Sequence, residues 1–207
     1  MKGRFITFEG CEGSGKSTQI RLLSERLKKQ GISHIVTREP GGSDIAEQIR
    51  NIILNGKNTA MCDECEALLY AAARAQHLRE VVQPALNGGT LVLCDRFVDS
   101  SLAYQGYARG LGLNFVREIN SFAMRDFRPD VTLFLDISPR AAFERKHGAD
   151  EDDRMEQLGM AFHQKVYEGY LKIAEAEPER VAKVACGGSK WETAERVYNI
   201  LKLRKII

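Results

Sequence analysis

Along the 207 residues of the chain, two apolar patterns alternate. Short continuous apolar runs end on charged residues, and between them apolar residues recur every third or fourth position. Phe5, Ile6 and Phe8 form the first run; it ends at Glu9-Gly10 and predicts a buried strand. A helix over 16–29 follows, with Ile20, Leu22, Leu23 and Leu27 in period and Gly31 as its stop. Residues 32–37 predict a second strand. Pro40-Gly41-Gly42 marks a turn, after which Ser43 or Asp44 caps a helix carrying Ile45, Ile49, Ile52 and Ile53. The pattern over 63–83 predicts one long helix ended by Pro84. Residues 90–94 predict a third strand closing on Asp95-Arg96, and helices over 98–106 and 114–125 flank a Gly-rich turn at 110–112. A fourth strand over 131–135 ends at Asp136, and Ser138-Pro139 opens a helix. The polar stretch 146–153 has no apolar period and reads as a mobile loop. A helix over 154–175, a strand over 181–185 and a helix over 191–204 complete the chain.

Strands that alternate with helices imply an α/β fold: a five-stranded parallel sheet with helices on both faces. Ligands of such sheets lie beyond the carboxyl ends of the strands. Glu9, Arg38-Glu39, Asp95-Arg96 and Asp136 close strands and are expected to converge on one crevice.

Composition narrows the class. Apolar residues make up 43% and charged residues 28% of the chain, as in ordinary globular proteins, and the length suits one domain. A formal net charge of +2 lacks the footprint of a nucleic-acid binder. No apolar run approaches the roughly 20 residues of a membrane span, and the apolar start is too short for a signal peptide. A cytoplasmic protein is expected. The five cysteines are odd in number, which argues for free thiols. Cys62 and Cys65 have metal-ligand spacing, but no second Cys/His pair follows, so helix thiols are favoured over zinc.

Candidate chemistry enters with Gly10-Cys11-Glu12-Gly13-Ser14-Gly15-Lys16-Ser17, followed by Thr18. Gly10, Gly15, Lys16 and Ser17 match G-x-x-x-x-G-K-[ST] between a predicted strand and a predicted helix. Glycines let backbone amides turn inward around phosphate oxygens, and the helix presents its positive end to the anion. Lys16 is expected on the β- and γ-phosphates, and the Ser17 hydroxyl on magnesium. A strand-end Asp is the expected second magnesium element. Asp95 is preferred to Asp136, because Arg96 beside it offers a guanidinium to a second phosphate. Cys11 is expected to contribute only its backbone to the loop; the alternative is a redox-sensitive thiol, its pKa lowered by the helix end and Lys16.

Several further segments, taken in order, resemble thymidylate kinases. They are Phe8 to Gln19, Thr37-Arg38-Glu39-Pro40-Gly41-Gly42, Leu69-Tyr70-Ala71-Ala72-Ala73-Arg74-Ala75-Gln76-His77, Asp95-Arg96-Phe97, Ser100 to Gly106, and Asp153-Arg154-Met155-Glu156. The resemblance implies a P-loop kinase fold, a single domain over 1–207 with a short lid at about 140–156, and ATP- and Mg2+-dependent phosphorylation of dTMP to dTDP. It also implies roles. Arg74 would bond the thymine ring and Tyr70 stack on it; Ser101 and Gln105 would touch the base or nearby groups. Tyr104 would lie against the deoxyribose. Arg38 and Arg96 would hold the dTMP phosphate, beside Glu39 and Pro40. Glu12 would sit near the 3′-hydroxyl or a metal-bound water. A homodimer is implied, with the helices over 63–83 and 98–125 offering an apolar face.

Tyr70 replaces the usual Phe of the family, and Ser43 the frequent Thr. Gly13 is consistent with the bacterial-type branch, in which basic lid residues reach the transferring phosphates. Residues 149–153 are acidic, however, which leaves Arg145, Lys146 and Arg154 as the favoured lid cations. Tyr70 could instead be a core aromatic and Arg74 a solvated charge, but their four-residue spacing puts both on one helix face, as a shared ligand requires. His77 has neither metal partner nor nucleophile and reads as structural. The alternatives are another nucleoside monophosphate or deoxynucleoside kinase on this fold and, more distantly, a nucleotide-dependent switch. The latter lacks the Asn-Lys-x-Asp element of a GTPase.

Overall fold

The computed structural model describes residues 3–125, 127–146 and 154–207, with backbone only for Lys146 and Glu156. The stretch 147–153, and with it the expected mobile loop and its acidic residues, lies outside the described residues, as does the Lys146 side chain. Among the described residues five strands form one parallel sheet: β1 (Phe5–Glu9), β2 (His34–Arg38), β3 (Leu91–Asp95), β4 (Val131–Asp136) and β5 (Val181–Ala185), in the order β2-β3-β1-β4-β5. β1, β3 and β4 are buried almost throughout, and so read as continuous apolar runs rather than alternating ones.

Helix α1 (Lys16–Lys29) ends with Gly31 at φ 70°; Gly31 N–H bonds Lys28 O and Ile32 N–H bonds Leu27 O. Ile32 therefore closes the helix instead of opening a strand, and β2 starts two residues later than its pattern suggested. α2 (Asp44–Leu54) follows. The long helix α3 (Asp63–His77) does not stop at Pro84. It passes through a π-helical turn, Leu78–Val82, into α4 (Gln83–Asn87) and ends at Gly88-Gly89. Pro84 sits in the first turn of α4, directly after the π-helical turn.

The helix predicted over 98–106 likewise changes pitch: α5 (Val98–Ser101) runs into a π segment, Leu102–Ala108. α6 (Leu113–Met124), α7 (Pro139–Lys146), a 3-10 turn (Glu156–Leu158), α8 (Gly159–Ala176) and α9 (Lys190–Leu203) complete the order. α8 begins five residues later than expected, at Gly159 with φ 76°. α9 opens on a reciprocal cap between Ser189 and Glu192.

One core joins the sheet to α1 and α9 through Ile20, Leu23, Leu27, Val197 and Leu201. On the other face, Phe134 packs with Leu102, Tyr104, Val116, Val166 and Tyr170. α8 crosses the π segment closely because Gly169 has no Cβ, which would stand 3.1 Å from the Ala103 Cα and from the Tyr107 Cβ. That approach holds Tyr104 and Gln105 at the carboxyl edge of the sheet.

Candidate functional site

Beyond the strand ends lies a cleft of about 500 Å³. Among the described residues six cationic side chains line it (Lys16, Arg38, Arg50, Arg74, Arg96 and Arg145) against three acidic ones (Glu12, Glu39 and Asp95). The surplus of positive charge fits a polyanionic ligand. Of the strand-end residues expected to converge, Arg38, Glu39, Asp95 and Arg96 do. Glu9 is buried and is not among the lining residues. Asp136 is turned aside, its Oδ1 taking the Tyr167 hydroxyl at 2.7 Å and its Oδ2 lying 3.5 Å from Lys183 Nζ.

The loop over 10–17 joins β1 to α1. From it Glu12, Gly13, Gly15, Lys16, Ser17 and Thr18 line the cleft, while Gly10, Cys11 and Ser14 form its inner turn. Gly10 holds φ 141°, and a Cβ there would meet Leu135 O and Ser14 Oγ at 3.0 Å each. Lys16 is buried and donates to the carbonyls of Gly10 (3.1 Å) and Cys11 (3.0 Å). Burial, then Arg96, lower its pKa. Ser17 Oγ donates to Asp95 Oδ2 at 3.2 Å, and Asp95 Oδ1 is buried without a hydrogen-bond partner among the described residues. The alternative of an activated Cys11 is not favoured: burial outweighs Lys16 and pushes its thiol up to about 11, in keeping with a residue that contributes only backbone.

Arg96 joins the two ends of the cleft. Its backbone is left-handed at φ 68°, a strained conformation for a non-glycine residue. NH2 bonds Glu12, and NH1 bonds Gly10 O (3.1 Å), Ser100 Oγ (3.2 Å) and the Tyr170 hydroxyl (3.2 Å). The guanidinium lies 5.5 Å from the Tyr104 ring centre. Burial opposes its charge, but Tyr104, Glu12, Tyr170 and Asp95 hold it protonated. The Tyr104 hydroxyl is buried without a hydrogen-bond partner, and burial pushes its pKa well up.

At the other end Tyr70 and Arg74 both line the cleft from α3, as their spacing required. Arg74 is almost fully buried. Nε donates to Glu39 Oε2 (2.8 Å), and NH1 to Ser101 Oγ (3.1 Å) and Asn120 Oδ1. His77 bridges Glu39 (2.9 Å) and Thr37 (2.7 Å), in keeping with a structural residue. Arg38, Pro40, Tyr104 and Gln105 also line the cleft; Ser101 lies behind Arg74 and does not.

Of the three lid cations, Arg145 reaches the cleft and donates to Cys186 O at 2.9 Å. Arg154 does not: NH2 donates to Glu66 Oε2 at 2.5 Å and Nε to Ile53 O at 3.0 Å. Cys62 and Cys65 are exposed free thiols at the start of α3. Among the described residues no group of three or more His, Cys, Asp or Glu is placed to hold a metal.

Several residues that shape the site escaped sequence reasoning. Arg50 lines the cleft and donates to Pro40 O at 2.9 Å. The buried Glu66 accepts from Gln105 (2.8 Å), Arg109 (2.8 Å) and Arg154. Burial would raise its pKa, but bonds from Arg109, Gln105 and Arg154 hold it below the usual carboxylate range. Its position four residues before Tyr70, on the same helix face, was the available signal.

Comparison with known proteins gives a consistent result. The family model described as "Thymidylate kinase" matches residues 8–196. The thymidylate kinase of Bacillus pumilus (strain SAFR-032) is 51% identical over 204 residues, covering 98% of this chain and 96% of that protein. The thymidylate kinase of Clostridium novyi (strain NT) is 49% identical, covering 97% of this chain and 99% of the relative. The crystal structure of thymidylate kinase from Ehrlichia chaffeensis superposes with a TM-score of 0.79 at 29% identity, over 97% of this chain and all of that one.

Proposed function

Because the chain belongs to the thymidylate kinase family, we propose that it transfers the γ-phosphoryl group of ATP to the phosphate of dTMP, giving dTDP and ADP. The observation that carries this reading is the position of Arg96, bonded to the loop at Gly10 and Glu12 and facing Tyr104 within the same cleft. A residue so placed suits an acceptor phosphate held in line with the donor's γ-phosphorus. The transfer breaks the bond from the γ-phosphorus to the β,γ-bridging oxygen and forms one to an oxygen of the dTMP phosphate. The protein's share is positioning and electrostatics.

In this reading Lys16 and the amides of residues 10–18 hold the ATP phosphates, and Arg38 and Arg96 hold the acceptor phosphate. Tyr70 stacks on thymine. Arg74 and Gln105 read its polar edge, with Ser101 setting Arg74 from behind. Tyr104 packs on the deoxyribose, where a 2′-hydroxyl would crowd it. Glu12 faces the 3′-hydroxyl. Ser17 Oγ and the unpartnered Asp95 Oδ1 are hard oxygen donors that suit Mg2+. When bound, that ion offsets charge on the β- and γ-phosphate oxygens. Arg145 is the preferred lid cation over Lys146 and Arg154, in a single domain over 1–207 with its lid at about 140–156.

The chain works as a homodimer in the cytoplasm. Ile45 and Ile52 of α2, Leu68 of α3, and Phe115 and Phe122 of α6 are exposed apolar side chains on helices that pack together, a surface suited to a second copy. The five free cysteines suit a reducing compartment. Sedimentation at micromolar concentration should give a dimer that Phe122→Asp dissociates; a monomeric parent overturns that part. ADP release measured across dTMP, dUMP, dCMP and UMP tests the activity: dTMP should be fastest, and equal rates with dCMP would overturn the assignment.

A further inference from the structure

Glu9 takes no part in the roles above. It is fully buried at the end of β1 and does not line the cleft. Its carboxylate is nonetheless bonded on both oxygens. Oε1 accepts from Phe97 N (2.7 Å) and Ser100 N (3.3 Å), and Oε2 from Ser100 Oγ (2.6 Å) and the Tyr170 hydroxyl (2.9 Å). Those two hydroxyls are the ones that receive Arg96 NH1, each at 3.2 Å. Carboxylate and guanidinium thus face each other through a double layer of hydroxyls.

The chemistry of that layer fixes its polarity. An ionised Glu9 can only accept, so the Ser100 and Tyr170 protons, in bonds of 2.6 and 2.9 Å, point to Glu9 and their lone pairs to Arg96, even though the two hydroxyls also lie 2.9 Å from each other. Glutamine in place of Glu9 would donate to one hydroxyl and reverse it, turning a proton toward the guanidinium. Leaving an ionised carboxylate in the interior is costly, and apolar filling would serve packing alone as well.

We propose that Glu9 is a positioning residue for Arg96: through Ser100 and Tyr170 it orients the guanidinium that receives the acceptor phosphate. The inference rests on the reading of Arg96 as the phosphate-holding residue. Protonation of Glu9 would undo the alignment. Burial first, and then Asp99 of α5, raise its pKa to about 7, while Arg96 opposes them. Tyr170 of α8 faces it directly, and Arg180, before β5, holds Asp99 through two bonds of 2.7 Å. The alignment is therefore half present near pH 7, fuller as pH rises above it and progressively lost as pH falls.

The test is steady-state kinetics of Glu9→Gln, Ser100→Ala and Tyr170→Phe, with dTMP and ATP varied separately from pH 6 to 9. KM for dTMP should rise about tenfold in Glu9→Gln and severalfold in the other two, as loss of a charge-assisted bond implies. KM for ATP should stay within about twofold of the parent's, as for a site left unaltered. The parent's advantage over Glu9→Gln in kcat/KM for dTMP should shrink as pH falls below about 7; the ratio cancels ionisation of dTMP itself. Should Glu9→Gln fail to fold, Tyr170→Phe, which keeps the ring, decides. An unchanged KM for dTMP in Tyr170→Phe, or an equal rise in both KM values, overturns the proposal. Arg96→Lys separates the two readings. If it leaves KM for dTMP unchanged, the Arg96 assignment itself falls; if it cripples dTMP binding while Glu9→Gln and Tyr170→Phe do not, only the positioning role falls.

Discussion

The loop wall and the acceptor wall of the cleft differ in where their polar groups find partners. Around the loop, among the described residues, Lys16 is bonded only to carbonyls of its own turn, and Ser14 Oγ and Asp95 Oδ1 are buried without hydrogen-bond partners. Across the cleft the buried charged groups are paired, and the Tyr104 hydroxyl is the exception among the polar ones. Arg74 bonds Glu39, Ser101 and Asn120, Glu39 also bonds His77, and Glu66 gathers Gln105, Arg109 and Arg154. The loop is shaped for a partner that brings its own charge; the acceptor wall is organised before any ligand arrives. Binding energy used at the first can serve the reaction, whereas the second is fixed by folding. Substitutions should therefore separate activity from stability.

The largest effect on stability is expected from Arg74→Ala. It leaves the Glu39 carboxylate buried with His77 alone, and breaking a buried pair from one side costs about 3–5 kcal/mol. Chemical unfolding checks this. A loss below about 1 kcal/mol, the range of exposed pairs, would mean the wall is not pre-organised by this pair. Arg74→Lys should recover little, because a single ammonium cannot follow the three directions of the guanidinium.

Lys16→Ala should behave in the opposite way. Turnover should fall by about 10²–10³, equivalent to about 3–4 kcal/mol of transition-state stabilisation. Stability should change by less than about 1 kcal/mol, since burial disfavours the ammonium and no acidic partner is lost with it. Equal losses of stability in Lys16→Ala and Arg74→Ala would erase the distinction between the walls.

Glu66→Gln addresses the second carboxylate of the acceptor wall, with an expected loss of about 2 kcal/mol at neutral pH, the range for hydrogen bonds to a charged group. The pKa of Glu66 is depressed in the fold, so its contribution is present above the ordinary carboxylate range. It is lost as pH falls through the folded-state pKa. The difference between parent and variant should therefore close in acid. A gap that stays constant down to pH 3 would assign the effect to packing.

The same division explains what could be read from the chain alone. The loop was legible because its function is local: eight consecutive residues supply backbone, cation and hydroxyl, and the flanking strand and helix are fixed by their own apolar periods. Tyr70 and Arg74 were reached through the family resemblance, and helical spacing added that both lie on one face. The resemblance also pointed to Arg38, Tyr104 and Gln105, but the hydrogen-bond pairing that holds the acceptor wall was not legible, because its partners are distant in sequence. Glu66 and Gln105 lie 39 residues apart, Arg74 and Asn120 46, and Glu9 and Tyr170 161. No short-range pattern encodes those pairs. In the fold, the strands followed their apolar runs, whereas ends set by hydrogen bonding moved. Ile32 closed a helix, and Pro84 was absorbed after a π turn. Arg154 shows the limit of a motif: the segment is present, but its guanidinium is turned to Glu66.

Cysteine reactivity carries the smallest expected effect and asks whether openness of the loop extends to its side chains. Cys11 lies in the loop yet is fully buried, with its thiol pushed up to about 11; burial likewise pushes Cys186 up to about 11 and Cys94 well above the usual thiol value. Near pH 8 the thiolate of Cys11 is about one part in a thousand, and the thiolate is the nucleophile. A thiol reagent should label the exposed Cys62 and Cys65 quickly and the other three only as the fold opens. Cys11→Ser should leave turnover within about twofold and the rate of peroxide inactivation unchanged, because a buried thiol acts as a small apolar group. Fast labelling of Cys11, suppressed by ATP, would show instead that the loop opens around its phosphate site. The contrast between the two walls would then be one of mobility as well as of pairing.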